Sequence, residues 1–274
     1  MCINPKDIPC SDLHKIANQT RLKIIEMSHA AKSAHLGSCL SCVDILVSLY
    51  YRVLNIDPAK YRAADRDIFI LSKGHAAMGL YAVLAKRGFF SEEFLNTYNI
   101  DGGLLPEHPP ARGVPGVEAA TGSLGHGLSL ACGQALAFKM KEQKNKVFCL
   151  ISDGEVNEGA IWEAAMFASA NGLSNLTVFL DWNKWQATQR SDEVLNTTNH
   201  KDKWLSFGWD VECINGHDFK EIFCAVKNQS EKPKMIIADT VKGRGVSFME
   251  DDNNWHYRIP TLEEVSAAKL ELAI

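Results

Sequence analysis

Long hydrophobic runs are missing from this chain, and so are runs of charge of one sign. No stretch approaches the roughly 18 continuous apolar residues that a membrane-spanning helix needs. The N-terminal segment MCINPKDIPCSD lacks the charged and apolar regions of a secretory signal. The net charge is only -4 at pH 7, and such a surface gives no electrostatic footprint for nucleic acid or a membrane. We therefore expect a soluble cytoplasmic protein that binds neither.

Paired cysteine motifs are also scarce. Of the eight cysteines, only Cys39 and Cys42 have the C-x-x-C spacing, and no second such pair exists to complete a zinc site. The surrounding segment SCLSCVDILVSLYY has the composition of an apolar helix. We interpret both cysteines as structural thiols in a reducing compartment rather than as redox or metal-binding groups.

The chain is long and apolar enough, at 274 residues and 46% hydrophobic, to bury a sizeable core. It shows no repeat or linker, so we predict a single domain over residues 1–274. Residues 1–127 are expected to be largely helical and residues 246–274 to form a C-terminal tail. Residues 128–245 alternate between helix and strand patterns in βαβαβ order, which predicts an α/β fold with a parallel sheet sandwiched by helices.

Hydrophobic periodicity predicts the individual elements. A first helix is expected to begin at a capping Ser11. A short buried strand is predicted over 67–72, followed by the loop Lys73-Gly74-His75. Further helices are predicted over 43–54, 76–87, 128–144, 158–170 and 218–228, and further strands over 146–152, 176–181 and 234–240. Ligands bind at the carboxyl ends of parallel strands, which here fall at 153–154, 181–183 and 240–243.

Two of these strand ends carry oxygen ligands. Asp153 offers a carboxylate and Asn183 a neutral amide oxygen, a combination that suits a hard divalent ion shared with a phosphate. Gly154 lets the backbone approach the phosphate, and the following helix directs its N-terminus at the anion. Asp-Gly and Asp-x-Asn can also form ordinary turns. Their spacing of one strand-helix-strand unit favours a joint site.

This pair resembles the thiamine diphosphate motif, in which Gly-Asp-Gly is followed some two dozen residues later by an Asn-containing strand end. Ser152 replaces the first glycine, a mild departure because the Asp, the second Gly and the Asn make the contacts. Segments that resemble the transketolase family lie in the family's order along nearly the whole chain. They are Ala34-His35-Leu36-Gly37-Ser38, Ser72-Lys73-Gly74-His75-Ala76, Pro106-Glu107-His108-Pro109, Thr121-Gly122-Ser123-Leu124-Gly125-His126-Gly127 and Gly245 through Trp255-His256.

The resemblance implies a role for each matching position. The metal, Mg²⁺ or alternatively Ca²⁺ or Mn²⁺, would be held by Asp153, Asn183 and the carbonyl of Trp185. Cofactor contacts would come from His75, Gly122, Ser123, Leu124, Gly154, Glu155, Asn183 and His256. Substrate binding and proton transfer would involve His35, His108 and His256. Glu158 and Glu163 resemble carboxylates that link two active sites at an interface, although either could be a solvated helix acid.

A complete transketolase has a second, pyrimidine-binding domain, for which this sequence has no room after Pro260. The resemblance therefore implies that a C-terminal partner subunit supplies that domain, in a heterotetramer with two copies of each chain that acts on sugar substrates. Alternative interpretations of the chain are a 1-deoxyxylulose 5-phosphate synthase-like enzyme, a 2-oxoacid dehydrogenase alpha-like chain or a non-catalytic binding homologue. Trp185 and Arg190 depart from the family's usual pattern after Asn183, which leaves the particular sugar open.

Overall fold

The computed structural model describes residues 8–195, 199–228 and 230–273. Its centre is a sheet of parallel strands in the order β1-β2-β3-β5-β4. The strands are β1 (Ile68–Leu71), β2 (Val147–Ser152), β3 (Leu176–Trp182), β4 (Asp210–Asn215) and β5 (Lys234–Asp239). The register sets Ser152 of β2 beside Asp181 of β3, so the ends of these two strands lie side by side.

Helices cover both faces of this sheet. They are α1 (Cys10–Ala31), α2 (Leu36–Ser41), α3 (Val43–Ser48), α4 (Ala77–Arg87), α5 (His126–Met140), α6 (Gly159–Ala170), α7 (Ser191–Val194), α8 (His200–Ser206), α9 (Phe219–Lys227) and α10 (Leu262–Glu271). One apolar core lies between the sheet and α1 to α4 with α9, and a second lies between the sheet and α5, α6 and α8. The predicted α/β sandwich is therefore confirmed.

Burial on both faces explains the strand sequences. Alternate residues of β2 face opposite cores: Phe148 and Leu150 pack on the first, and Val147 and Cys149 pack on the second. A strand buried on both sides is apolar throughout, which is why β1, β2, β3 and β5 could be recognised. None of the helices in the described ranges combines the length and apolarity that crossing a membrane requires.

The structure corrects several predicted elements. β4 was not predicted, because it is an edge strand whose side chains are mostly polar and of which only Ile214 is buried. Ser11 does not cap α1, since the helix begins one residue earlier after Pro9. The helix predicted over 43–54 ends at Ser48 and continues as a π-helical turn over Leu49–Val53. The helix predicted over 128–144 is shifted towards the N-terminus as α5.

The C-x-x-C pair lies inside the first core. Cys39 and Cys42 are free and completely buried, and burial raises the pKa of each thiol to about 12. A thiol with so high a pKa is a poor nucleophile and a poor metal ligand at neutral pH. Their burial supports the interpretation of both cysteines as structural thiols, which stays a prediction.

Candidate active site at the strand ends

Asp153 and Asn183 form the floor of a cavity at the carboxyl ends of β2 and β3. The Asp153 carboxylate accepts from the Gly154 N–H at 3.0 Å and from the Ser191 hydroxyl at 2.9 Å. The Asn183 side-chain oxygen accepts from the Trp185 N–H at 3.1 Å. Burial, with the nearby Asp181 carboxylate, raises the pKa of Asp153 to about 7. Because the raised pKa means that the charged form of Asp153 is disfavoured, a bound cation would stabilise that form.

A buried ion pair fixes this floor from below. Lys73 and Asp181 are both fully buried and in direct contact. Asp181 also accepts from the Ser41 hydroxyl at 2.7 Å and from the Thr240 hydroxyl. The Asn183 amide nitrogen donates to Asp181 at 3.3 Å, which sets the direction of the Asn183 oxygen. Sequence reasoning gave neither Lys73 nor Asp181 a role, although a charge within or just after an apolar strand was an available signal.

Four histidines from distant parts of the chain converge on one side of the cavity. The rings of His35 and His256 are 4.9 Å apart, and their Nδ1 and Nε2 atoms are separated by 3.3 Å. His75 lies 5.5 Å from His35 and His108 lies 6.2 Å from it, between ring centroids. The backbone supports this arrangement, because the His35 N–H donates to the His256 carbonyl at 2.7 Å.

His35, His75 and His256 are held as neutral imidazoles. Burial lowers the pKa of His35, and it lowers the pKa of His75 well below its usual value with help from Lys73. Burial and the neighbouring Lys242 ammonium lower the pKa of His256 to about 3. A neutral imidazole both donates and accepts a hydrogen bond, so these rings can contact hydroxyl and carbonyl groups without carrying charge.

Lys242 is a further residue that sequence reasoning named only as part of a strand end. Its ammonium donates to Asn253 at 2.6 Å and to the Gln186 carbonyl at 3.3 Å, and it lies 3.1 Å from His256 Nδ1. Burial lowers the pKa of Lys242 to about 8. It therefore places a positive charge behind the cavity wall, next to the lining residues Gln186 and His256, at neutral pH.

The glycine-rich loop closes the cavity opposite the floor. Gly122 has a φ of 138°, and a Cβ atom there would lie 2.6 Å from the His108 ring. A Cβ atom on Gly74 would lie 2.6 Å from the Gly122 nitrogen, so the two loops approach at backbone distance. Leu124 then reaches the cavity wall. Glycine is required at these positions by the close approach of the two loops to each other and to His108.

The cavity has a volume of about 450 Å³. It brings together these residues with predicted roles: His35, His75, His108, Gly122, Leu124, Asp153, Gly154, Glu158, Asn183, Trp185 and His256. A larger cavity, of about 840 Å³, lies at the opposite end of the sheet beside Asp67 and Lys146, and none of the residues with predicted roles lines it.

Three residues with predicted roles lie outside the cavity wall. Ser123 and Glu163 are exposed. Glu155 is fully buried, and its carboxylate accepts from the Ser72 hydroxyl, from the Gly125 N–H at 2.8 Å and from the Ser152 N–H at 3.2 Å. The Glu155 carboxylate thus ties the glycine-rich loop to the end of β2.

The fold and the site define an α/β domain that presents a polar cavity at the ends of parallel strands. A family model described as "Transketolase, thiamine diphosphate binding domain" matches residues 13–274. The chain belongs to this family.

Relatives of similar length are named as single subunits of larger enzymes. The chain is 40% identical over 273 residues to one subunit of the apulose-4-phosphate transketolase of Actinobacillus succinogenes, covering 98% of this chain and 99% of the relative. It is 42% identical over 264 residues to the 6-deoxy-6-sulfo-D-fructose transketolase subunit SqwG of a Clostridium species, covering 95% and 96%.

Full-length transketolases match over only part of their length. The human enzyme is 37% identical over 89% of this chain and 39% of its own length. The crystal structure of the Campylobacter jejuni transketolase superposes with a TM-score of 0.92 at 30% identity, over 97% of this chain and 43% of that chain. The chain thus spans about two fifths of these longer relatives.

Proposed function

We propose that this chain is the thiamine diphosphate-binding subunit of a two-chain transketolase. The complex transfers a two-carbon ketol unit from a ketose, expected to be phosphorylated, to an aldose. The observation that carries the proposal is a single cavity in which the strand-end oxygens of Asp153 and Asn183 meet the imidazoles of His35, His75 and His256. The subunit names of relatives that match along almost their whole length support the two-chain arrangement.

We further propose Mg²⁺ as the ion at the floor of the cavity, with Ca²⁺ or Mn²⁺ as substitutes. The donor set fits a hard cation, because Asp153 is buried and accepts from the neutral Gly154 N–H and Ser191 hydroxyl while Asn183 adds an amide oxygen. Within the described ranges, no group of three or more His, Cys, Asp and Glu side chains could hold a metal. The ion would therefore depend on oxygens of the diphosphate, and the two should bind together.

The residues of this chain bind and orient rather than carry the hard chemistry. When bound, thiamine diphosphate would supply the nucleophilic carbon for chemistry at a ketose carbonyl. His35 and His256, as a contacting neutral pair, can donate to the substrate's carbonyl oxygen and accept from its hydroxyls. Lys242, which lies behind His256 and Gln186, would add positive charge near a bound diphosphate.

The proposed partner subunit would cover an apolar face on α5 and α6, which pack side by side. The exposed apolar side chains of these two helices are Leu130, Met140, Met166 and Phe167, and we propose that they make up this face. Glu158, the residue before α6, lines the cavity, so α6 begins at the site. We expect a partner that completes the cavity to bury the face, and two copies of each chain to form a heterotetramer.

Reconstitution tests the proposal. The chain should be silent alone and should gain ketol transfer from ketose donors when the partner, thiamine diphosphate and Mg²⁺ are added. Donors should include apulose 4-phosphate and 6-deoxy-6-sulfo-D-fructose, the sugars in the names of two relatives. Turnover of pyruvate in place of ketoses would contradict the proposal, as would full activity of the chain alone at low concentration.

A further inference from the structure

We propose that Asp251 is a positioning residue that holds residues 184–191, here called the clamp loop, in place at the cavity before any cofactor binds. The inference rests on the proposed function, because the clamp loop contains the Trp185 carbonyl that is proposed as a metal ligand. It concerns Arg190 and Trp185, two of the positions at which this sequence differs from the pattern that it resembles.

The clamp loop is a tight hairpin. Trp185 and Arg190 form an antiparallel bridge, and the Gln186 N–H donates to the Gln189 carbonyl at 2.9 Å. The Ser191 N–H donates to the carbonyl of Lys184 at 3.0 Å, which closes the hairpin at its base. The loop has little apolar support of its own, since its side chains from 184 to 190 are only partly buried or exposed. Contacts from outside must therefore fix its position.

Asp251 makes several of these contacts with a single carboxylate. Its two carboxylate oxygens accept from the two terminal nitrogens of Arg190, each at 2.6 Å. The Trp185 indole N–H donates to the same carboxylate at 2.8 Å. The Arg190 guanidinium carbon also lies 3.9 Å from the centre of the Trp185 ring. Exposed ion pairs contribute little on average, but a bidentate pair that also stacks on an aromatic ring has a defined geometry.

Three more hydrogen bonds connect the clamp loop to the site. Lys242 donates to the Gln186 carbonyl at 3.3 Å, and Asn253 donates to the Ala187 carbonyl at 3.2 Å. Ser191, at the end of the loop, donates to Asp153 at 2.9 Å. Residues 185, 186 and 187 line the cavity. A displacement of the loop would thus move the cavity wall and a hydrogen bond of the proposed metal ligand Asp153 together.

The backbone of Asp251 is itself held in place by the segment that contains Lys242. Its N–H donates to the Lys242 carbonyl at 2.8 Å, and its backbone has a φ of 58°, a left-handed conformation that aspartate tolerates better than most residues. The carboxylate is therefore presented from a defined turn. An aspartate in this position can hold two segments that are far apart in sequence in one arrangement.

The test compares the reconstituted complex carrying Asp251→Ala, Asp251→Asn or Arg190→Lys with the native complex. Amide hydrogen exchange of residues 185–191 is measured without cofactor, and thiamine diphosphate affinity is measured as a function of Mg²⁺ concentration. Glu92→Gln is the control, because Glu92 pairs with Lys86 on the surface away from the cavity.

We expect Asp251→Ala to accelerate exchange in the clamp loop and to weaken Mg²⁺-dependent cofactor binding by about 10-fold or more, the size seen when outer-shell partners of metal ligands are removed. Asp251→Asn and Arg190→Lys should have smaller effects of the same sign, and Glu92→Gln none. Unchanged exchange, or faster exchange with unchanged cofactor affinity, would overturn the inference. Failure of the native complex to bind the cofactor would instead contradict the proposed function, while the exchange measurement still reports on the clamp.

Discussion

The floor of the cavity and the face formed by α5 and α6 differ in how far residues of this chain bury them and supply their contacts. Directly beneath the floor, Lys73 and Asp181 have no solvent exposure and are hydrogen bonded. On the helical face, 53% of the Met166 surface and 43% of the Phe167 surface are exposed. Under the proposed function, the chain would build the diphosphate side of the site by itself and leave an apolar face for the partner subunit. Substitutions in one region or the other test this contrast.

The largest effect is expected at the buried pair of the floor. Lys73→Met leaves the Asp181 carboxylate buried without its cation, which should lower the free energy of unfolding by about 3–5 kcal/mol. Denaturant unfolding of the chain measures this. The double variant Lys73→Met with Asp181→Asn removes the stranded charge, and it should recover part of the loss; no recovery would show that packing of the Lys73 stem is responsible.

The next effect concerns the proposed metal ligand. Asp153→Ala should reduce Mg²⁺-dependent thiamine diphosphate binding by roughly 100-fold, about 2.7 kcal/mol, while leaving the fold intact. Asp192→Ala, an exposed acid on α7, is the matched control and should bind normally. Equal affinities of the two variants would remove Asp153 from the metal site.

The apolar face should respond more weakly and in a different measurement. Phe167→Asp puts a charge on a surface that we expect to be buried by the partner, and should weaken assembly by about 10-fold, or about 1.4 kcal/mol. Leu270→Asp makes the same change at an exposed leucine of α10 and should not alter assembly. Sedimentation of mixtures with the partner distinguishes the outcomes. Loss of assembly in the α10 variant would relocate the interface.

The smallest effect is a pH dependence from the neutral histidines. The pKa of His256 is lowered to about 3 in the folded chain, so between pH 7 and pH 6 only the unfolded chain gains a proton there. Stability should therefore fall as the pH falls, by roughly 0.7 kcal/mol from this residue. The shift of His75 acts in the same direction, and that of Asp153 acts oppositely. Measuring the free energy of unfolding of His256→Gln and of the native chain against pH isolates the contribution of His256. Parallel profiles for the two chains would contradict that contribution.

The same comparison shows what could be predicted from sequence. The strands that are apolar on both faces were recognisable, and their ends correctly located the cavity containing Asp153 and Asn183. β4 was missed because an edge strand carries little apolar pattern. Motif position gave Glu155 a cofactor contact but could not show that its carboxylate points towards the glycine-rich loop. The pair Lys73–Asp181 and the contacts of Asp251 join residues far apart in sequence, which no local pattern reveals.

Calorimetric titration of the reconstituted complex with thiamine diphosphate, with and without Mg²⁺, tests the central claim most directly. The geometry of Asp153 and Asn183 predicts saturable binding at one site per chain that requires Mg²⁺ and is lost on addition of a chelator. Binding that is absent in the presence of Mg²⁺, or equally tight without the ion, would contradict a site in which these two strand ends hold the metal against the diphosphate.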